Sequence, residues 1–392
     1  MRTLAIASLL VVIAVRTQAQ QTARPTGHSL AGFPALNFDA DEGFGYGAQL
    51  QYYEYGDGSA APYKYSIQPT IFFTTRGRRD LTLFLDAPHL LPDGWRMGFQ
   101  LAREQQRAAP YYGVGNNSVA LDIPENSPNP YFYRFERTVL RSNVDLQHPF
   151  FIPALRGLLG IGTRTADVNT VPYDSGTTLL RQQTGRATLP TIGTRYARVG
   201  LVFDTRDSEI GPHTGNWSDI LVQRAGKVLG GDQVFTRITG TVRQYFPFGP
   251  DVTLAERVVM QTVHGDPAVS EIFSLQNSYR DDEFLGGATS IRGIPKNRYV
   301  GKGAAFANSE LRWSAAKFAL RGRPTRLILS GFVDAGRVWV DGLDVSEIFT
   351  DLHAGYGGGV RLAVGPTFVL AGDVGHSSQS TAAIYVGFGY VY

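Results

Sequence analysis

The chain has 392 residues, of which 43% are hydrophobic, 12% aromatic and only 18% charged. A soluble enzyme of this length carries closer to ~25% charged residues, so the composition weighs against one, and the apolar content excludes disorder. Cysteine is absent, which removes disulfides and thiolate metal sites, and 37 basic against 34 acidic residues leave no nucleic-acid footprint.

The first segment stands outside any fold. Met1-Arg2-Thr3 is a positive start, an apolar stretch runs from Leu4 to Val15, and small residues lead to Ala19. The stretch is too short to span a bilayer as a helix, so residues 1–19 read as a secretory signal peptide. Residues 20–32 read as a short periplasmic leader. Beyond Ala19 no apolar run reaches the ~18 residues of a membrane helix.

From residue 33 onward, apolar and polar side chains alternate at period two, which gives a strand one face of each kind. Strands are predicted at 33–39, 44–55, 64–75, 80–87 and 95–106, and the pattern recurs as far as Tyr392. Arg237, Thr239, Thr241 and Arg243 lie opposite Ile238, Val242 and Phe246, and Ser330 and Asp334 lie opposite Leu329, Val333 and Trp339. The segments run to about ten to fourteen residues, against roughly five or six in soluble sheets. Trp95, Trp217, Trp313 and Trp339 fall near strand ends, as in the aromatic girdles of membrane barrels.

The fold class is therefore all-β, a transmembrane antiparallel barrel, because a sheet in lipid must close so that no edge is left unpaired. Long connections fall near 107–130, 170–195 and 265–302, and short Pro- and Gly-rich ones at 88–94, 153–155, 208–214 and 246–250. Placing long loops outside and short turns inside requires an even number of strands before Trp95, and the count to Tyr392 is sixteen. Residues 33–392 form the barrel. Pro34 marks the first strand as an edge, because proline cannot donate to a sheet ladder, and Gly387 and Gly389 weaken the last. The seam where these strands meet, ending on Tyr392, is the expected weak line of the wall.

The longest loop contains Phe284-Leu285-Gly286-Gly287-Ala288-Thr289-Ser290-Ile291-Arg292-Gly293-Ile294. After it come Asn308-Ser309-Glu310-Leu311-Arg312, Gly331-Phe332-Val333-Asp334-Ala335-Gly336 and then the segment 355–366, and before it Gly200-Leu201-Val202-Phe203-Asp204-Thr205-Arg206-Asp207. In this order the segments resemble the bacterial surface antigen family of outer-membrane barrels, which includes BamA-type assembly factors and two-partner secretion transporters. The resemblance spans nearly all of the chain after residue 19 and is strongest from Val199.

The resemblance implies that the long sixth extracellular loop folds into the lumen. Its arginine, here Arg292 followed by Gly293, would latch onto carboxylates of the following strands, here Glu310 and Asp334. Asp204 and Arg206 match the family's strand motif. Ile294 departs from the family's aromatic, and the family's periplasmic polypeptide-transport-associated domains have no counterpart in this organisation. Alternation independently assigns Glu310, with Asn308 and Arg312, and Asp334 to the polar face. An ionised group there needs a partner, and one arginine can bridge two carboxylates.

The function so implied is assistance in inserting or translocating proteins at the outer membrane, through the lateral seam and the lumen loop. The alternative is a passive pore or a surface antigen. The expected partners are outer-membrane lipid and unfolded outer-membrane or secreted proteins, with a separate periplasmic or lipoprotein partner as an open alternative. No cofactor, metal or nucleic acid is expected. For an outer-membrane enzyme the nearest constellations are His353 near Asp351 and His376 beside Ser377 and Ser378, and neither comes with a nucleophile motif.

Overall fold

A computed structural model of the chain describes residues 26–392 except 40, 61, 122, 124–126, 175, 366 and 367. The expected signal peptide, residues 1–19, and the first part of the leader lie outside the described residues. Among those described, sixteen antiparallel strands close into one barrel, each bonded to its neighbours in sequence and the last to the first. The first eight are β1 Gly27–Asp39, β2 Gly43–Gly56, β3 Tyr65–Thr74, β4 Arg78–Ala87, β5 Arg96–Pro110, β6 Arg134–Phe150, β7 Ile152–Asn169 and β8 Ile192–Asp204. The second eight are β9 Gly215–Ala225, β10 Phe235–Phe248, β11 Val252–Gly265, β12 Gly303–Leu320, β13 Arg323–Trp339, β14 His353–Val364, β15 Phe368–Ser377 and β16 Ser380–Phe388.

Alternation sorts these strands as the sequence predicts. On β13, Val333 is 57% exposed on the outer face while the adjacent Asp334 is fully buried inside. On β10, Val242 faces out and its neighbours Thr241 and Arg243 are buried in the lumen. The outer face thus presents a solvent-like apolar coat for lipid, and the polar residues it would expel are gathered inside. No helix among the described residues is long and apolar enough to cross a membrane.

The 266–302 connection between β11 and β12 turns inward and fills the lumen. A short ladder of Ser274–Leu275 with Asp282–Glu283 stiffens its descending arm. At its lowest reach Ser278 donates to Asp219 on β9 at 3.0 Å, and Tyr279 packs edge-on against Phe84 of β4 at 4.8 Å. Higher up, Phe273, Phe284, Leu285, Ile291 and Ile294 join Tyr111 and Phe135 in a small apolar core. Ile294 therefore packs as a plain hydrophobe where the family carries an aromatic.

Several local expectations need correction. β1 begins at Gly27, not at 33, because it pairs along its whole length with the tyrosine-rich β2 and needs little alternation of its own. The first strand is thus thirteen residues long, and residues 27–32 belong to the wall rather than to a leader. The turn expected at 153–155 is the single residue Phe151, with φ of 62°.

Tyr392 is not on the last strand. β16 ends at Phe388, Gly389 adopts φ of 88°, and the chain bends into the lumen. There the Tyr392 hydroxyl donates to the Ala255 carbonyl at 2.9 Å, and Arg312 donates to the Tyr392 carbonyl at 3.0 Å. Only a residue without Cβ takes that positive φ without strain, so Gly389 acts as the bend. Two tryptophans also leave the girdle. Trp217 stacks between Arg206 and Arg243, each 4.1 Å from its ring, and Trp339 is buried with its indole N–H on Glu347. Trp313 is half exposed on the outer face as expected.

Candidate functional site

The lumenal latch is built by three strands that each place a charge inward by alternation. Glu310 on β12, Asp334 on β13 and Asp373 on β15 converge on Arg292 from the loop, and none of the four is more than slightly exposed. Arg292 grips Asp334 with two nitrogens, Nε to Oδ2 at 2.8 Å and Nη2 to Oδ1 at 3.0 Å, and its backbone N–H adds a third bond at 3.1 Å. Its Nη1 donates to Glu310 at 2.7 Å and reaches Asp373 at 3.5 Å. The guanidinium lies 3.4 Å above the Phe332 ring, a cation–π contact in a dry setting.

The Phe-x-Asp-x-Gly pattern thus acquires a physical reading. Phe332 is the platform and Asp334, two residues on and so on the same face, is the bidentate acceptor. Gly336 lets β13 approach β12, since a Cβ there would sit 2.6 Å from the Ala305 carbonyl oxygen. The Asn-Ser-Glu-Leu-Arg segment works in the same way. Asn308 donates to Asp334 at 2.8 Å and to the Ser290 carbonyl at 2.5 Å, while Arg312 donates to Glu310 at 2.8 Å.

Two glycines let the loop lie flat against the wall. A Cβ on Gly355 would overlap the Arg292 carbonyl, and one on Gly375 would come within 2.6 Å of the Gly293 nitrogen. Gly293 itself has φ of 95°. Its carbonyl accepts from Ser377 at 2.7 Å, and its N–H donates to the Tyr385 hydroxyl on β16 at 3.1 Å.

Sequence reasoning missed Asp373 and Arg361 in this cluster. Arg361 on β14 bridges Asp373, at 2.5 and 2.9 Å, and Glu310, at 3.3 Å, so with Arg292 and Arg312 the three carboxylates face three arginines. An inward-facing charge in the apolar strands around 361 and 373 was the available signal. Glu42 and Lys296 were missed as well. Their pairing joins a turn to a loop across 254 residues, and no local pattern marks it.

The other expected residues fall elsewhere. Asp204 and Arg206 pair bidentately at 2.9 and 2.8 Å, closing the β8–β9 turn, and no described contact links them to Arg292. Pro34 lies opposite Ala48 of β2, and Gly387 opposite Ala371 of β15. His353 stacks on Tyr299 at 3.6 Å, and His376 faces the Thr381 carbonyl.

At the seam β1 and β16 pair at only two positions among the described residues, Phe38 with Val386 and Asp39 with Tyr385. Every other adjacent pair of strands is joined over a longer register; β1 with β2, for instance, is paired from end to end. The inward bend at Gly389 removes the residues that would have continued along β1.

The Omp85 superfamily domain matches residues 66–388. No curated protein matches the chain in sequence. Among solved structures it is similar to BamA from Haemophilus ducreyi lacking POTRA domains 1–3, with a TM-score of 0.59 and 13% identity over 93% of this chain and 70% of that one. It is also similar to CdiB from Escherichia coli, with a TM-score of 0.58 and 12% identity over 92% of this chain. CdiB from Acinetobacter baumannii follows, with a TM-score of 0.50 and 13% identity over 92% of this chain. The chain spans 63% and 59% of the lengths of these two CdiB chains. At such identities the likeness speaks for the fold, and the family domain covers most of the chain. The protein belongs to the Omp85 superfamily, as an integral β-barrel of the outer membrane.

Proposed function

We propose that this barrel assists the insertion or translocation of other proteins at the outer membrane, by opening along the β1–β16 seam while the 266–302 loop moves from its latch. The observation that carries the reading is the two-residue pairing of the seam beside a loop docked on it from within. Few backbone bonds have to break there, and an edge strand so released is a template for an incoming one. The substrates in this reading are unfolded outer-membrane or secreted proteins, delivered with a periplasmic or lipoprotein partner. No step in it requires bond-making chemistry, so it treats the protein as a transport factor and not an enzyme.

The test is the folding rate of a reporter barrel in liposomes with and without the protein. Faster folding in its presence is the expected result. A rate equal to that in empty liposomes would replace this reading with a passive pore or surface antigen.

A further inference from the structure

We infer that the segment from Gly293 to Lys296 is a strap across the inside of the seam, and that Lys296 with Glu42 is its hold on the N-terminal side. The inference rests on the seam being the opening line proposed above. On the C-terminal side the strap begins at the latch, where Arg292 holds Asp334, Glu310 and Asp373, and Gly293 bonds Ser377 and Tyr385. On the N-terminal side the Lys296 N–H donates to Asp41 at 2.6 Å, and its ammonium pairs with Glu42 at 2.5 Å and with the loop's own Glu283 at 2.7 Å.

Glu42 is in turn tied to the wall, by Arg78 at the start of β4 at 2.8 Å and by Gln106 on β5 at 2.8 Å. The segment lies between two turns, closed by Ile294 on Ile291 at 3.3 Å and by Arg298 on Pro295 at 3.1 Å, and its backbone contacts β16 at one end and the β1–β2 turn at the other.

The strap also meets the seam where the seam is paired. Tyr385, which accepts from Gly293, lies opposite Asp39, and the Asp39 carboxylate accepts from the backbone N–H groups of Asp41 and Glu42 at 2.7 and 3.2 Å. The loop thus bridges the two sides of the seam: the Gly293 bond to Tyr385 and the Arg292 ion pairs on β12, β13 and β15 hold one side, and the Lys296 contacts to Asp41 and Glu42 in the β1–β2 turn hold the other. Lys296 and Glu42 are both buried, so loss of one leaves the other's charge without its partner. Arg292 and Lys296 bind different elements, so loss of the Lys296 pair weakens the N-terminal hold without removing a contact of the latch. Lys296 is a positioning residue in this scheme.

Hydrogen exchange on the whole protein in lipid nanodiscs tests the strap at the amides of Phe38, Asp39, Tyr385 and Val386. Lys296→Met and Glu42→Gln should each speed exchange there by at least about tenfold, with β10 and β11 unchanged and the 285–295 stretch still protected from protease. Lys296→Arg should keep the parental rate. Lys317→Met, at an exposed lysine paired with Asp251, should keep it too. Parental exchange at the seam in both Lys296→Met and Glu42→Gln would overturn the strap, as would an equal rise in every strand. The reporter-folding assay on the same variants separates the two readings. Faster seam exchange with no reporter activity in any variant or in the parent upholds the strap and removes the assembly function.

Discussion

Arg292 shows how much one side chain can organise when it is buried among carboxylates. It makes three bonds to Asp334, one to Glu310, and stacks on Phe332, with its side chain fully buried. Arg292→Ala would leave Asp334 and Glu310 buried with one partner fewer, a change of the kind that costs about 3–5 kcal/mol. The expected outcome is a matching loss of stability in urea unfolding of the reconstituted barrel, together with cleavage of the loop by added protease. Arg292→Lys should recover only part of it, because an ammonium cannot make the bidentate contact. Alternation already places Glu310 and Asp334 inward, so this much of the site was legible in the sequence. Arg361 and Asp373 obey the same rule, but nothing local to their strands marks either as a partner of the loop arginine or of Glu310.

Among the elements, β1 and β16 carry the proposed opening. Pro34 and the glycines of the last strand read as weak points in the sequence, and in the structure the seam pairs at two positions for a reason other than a short first strand. β1 is thirteen residues long, but its last residues, Phe38 and Asp39, meet Val386 and Tyr385 near the end of β16, so the stagger leaves most of β1 without a partner on that side and the bend at Gly389 adds to it. Phe38 and Val386 are directly opposed and both point outward. A disulfide between Phe38→Cys and Val386→Cys should therefore abolish acceleration of reporter folding, and reduction should restore it. Full activity in the oxidised form would remove the lateral opening from the mechanism.

For the whole molecule, the lumen is an interior made of ions, and its behaviour with pH follows from the groups at the loop rim. Burial alone raises the pKa of Glu42, but Arg78 and Lys296 outweigh it and hold the carboxyl well below its usual range. Its contribution to docking is present above the unfolded carboxylate value and is lost only when the pH falls through the much lower folded one. Burial, and after it the Asp39 carboxylate, push Asp41 up to about 6. Asp41 therefore takes up a proton more readily when docked, and that term favours the docked state as the pH falls from 6 toward the unfolded value. Both signs predict that the loop stays docked at pH 5. Limited proteolysis at pH 5 and pH 7.5 should cut the 266–302 loop equally slowly, and faster cutting at pH 5 would contradict this account of the rim.

Period-two alternation is a local property, so the sequence by itself determined the barrel, its sixteen strands, the sorting of side chains between lipid and lumen, and the carboxylates waiting for Arg292. Contacts between distant segments are not local, and only the tertiary structure decided them. The inward bend of residues 389–392, the burial of Trp217 and Trp339 and the Lys296–Glu42 pair each depend on which wall a given backbone approaches once the sheet closes. The closed barrel brings residues 42 and 296 together beside the seam, where β1 and β16 pair at few positions.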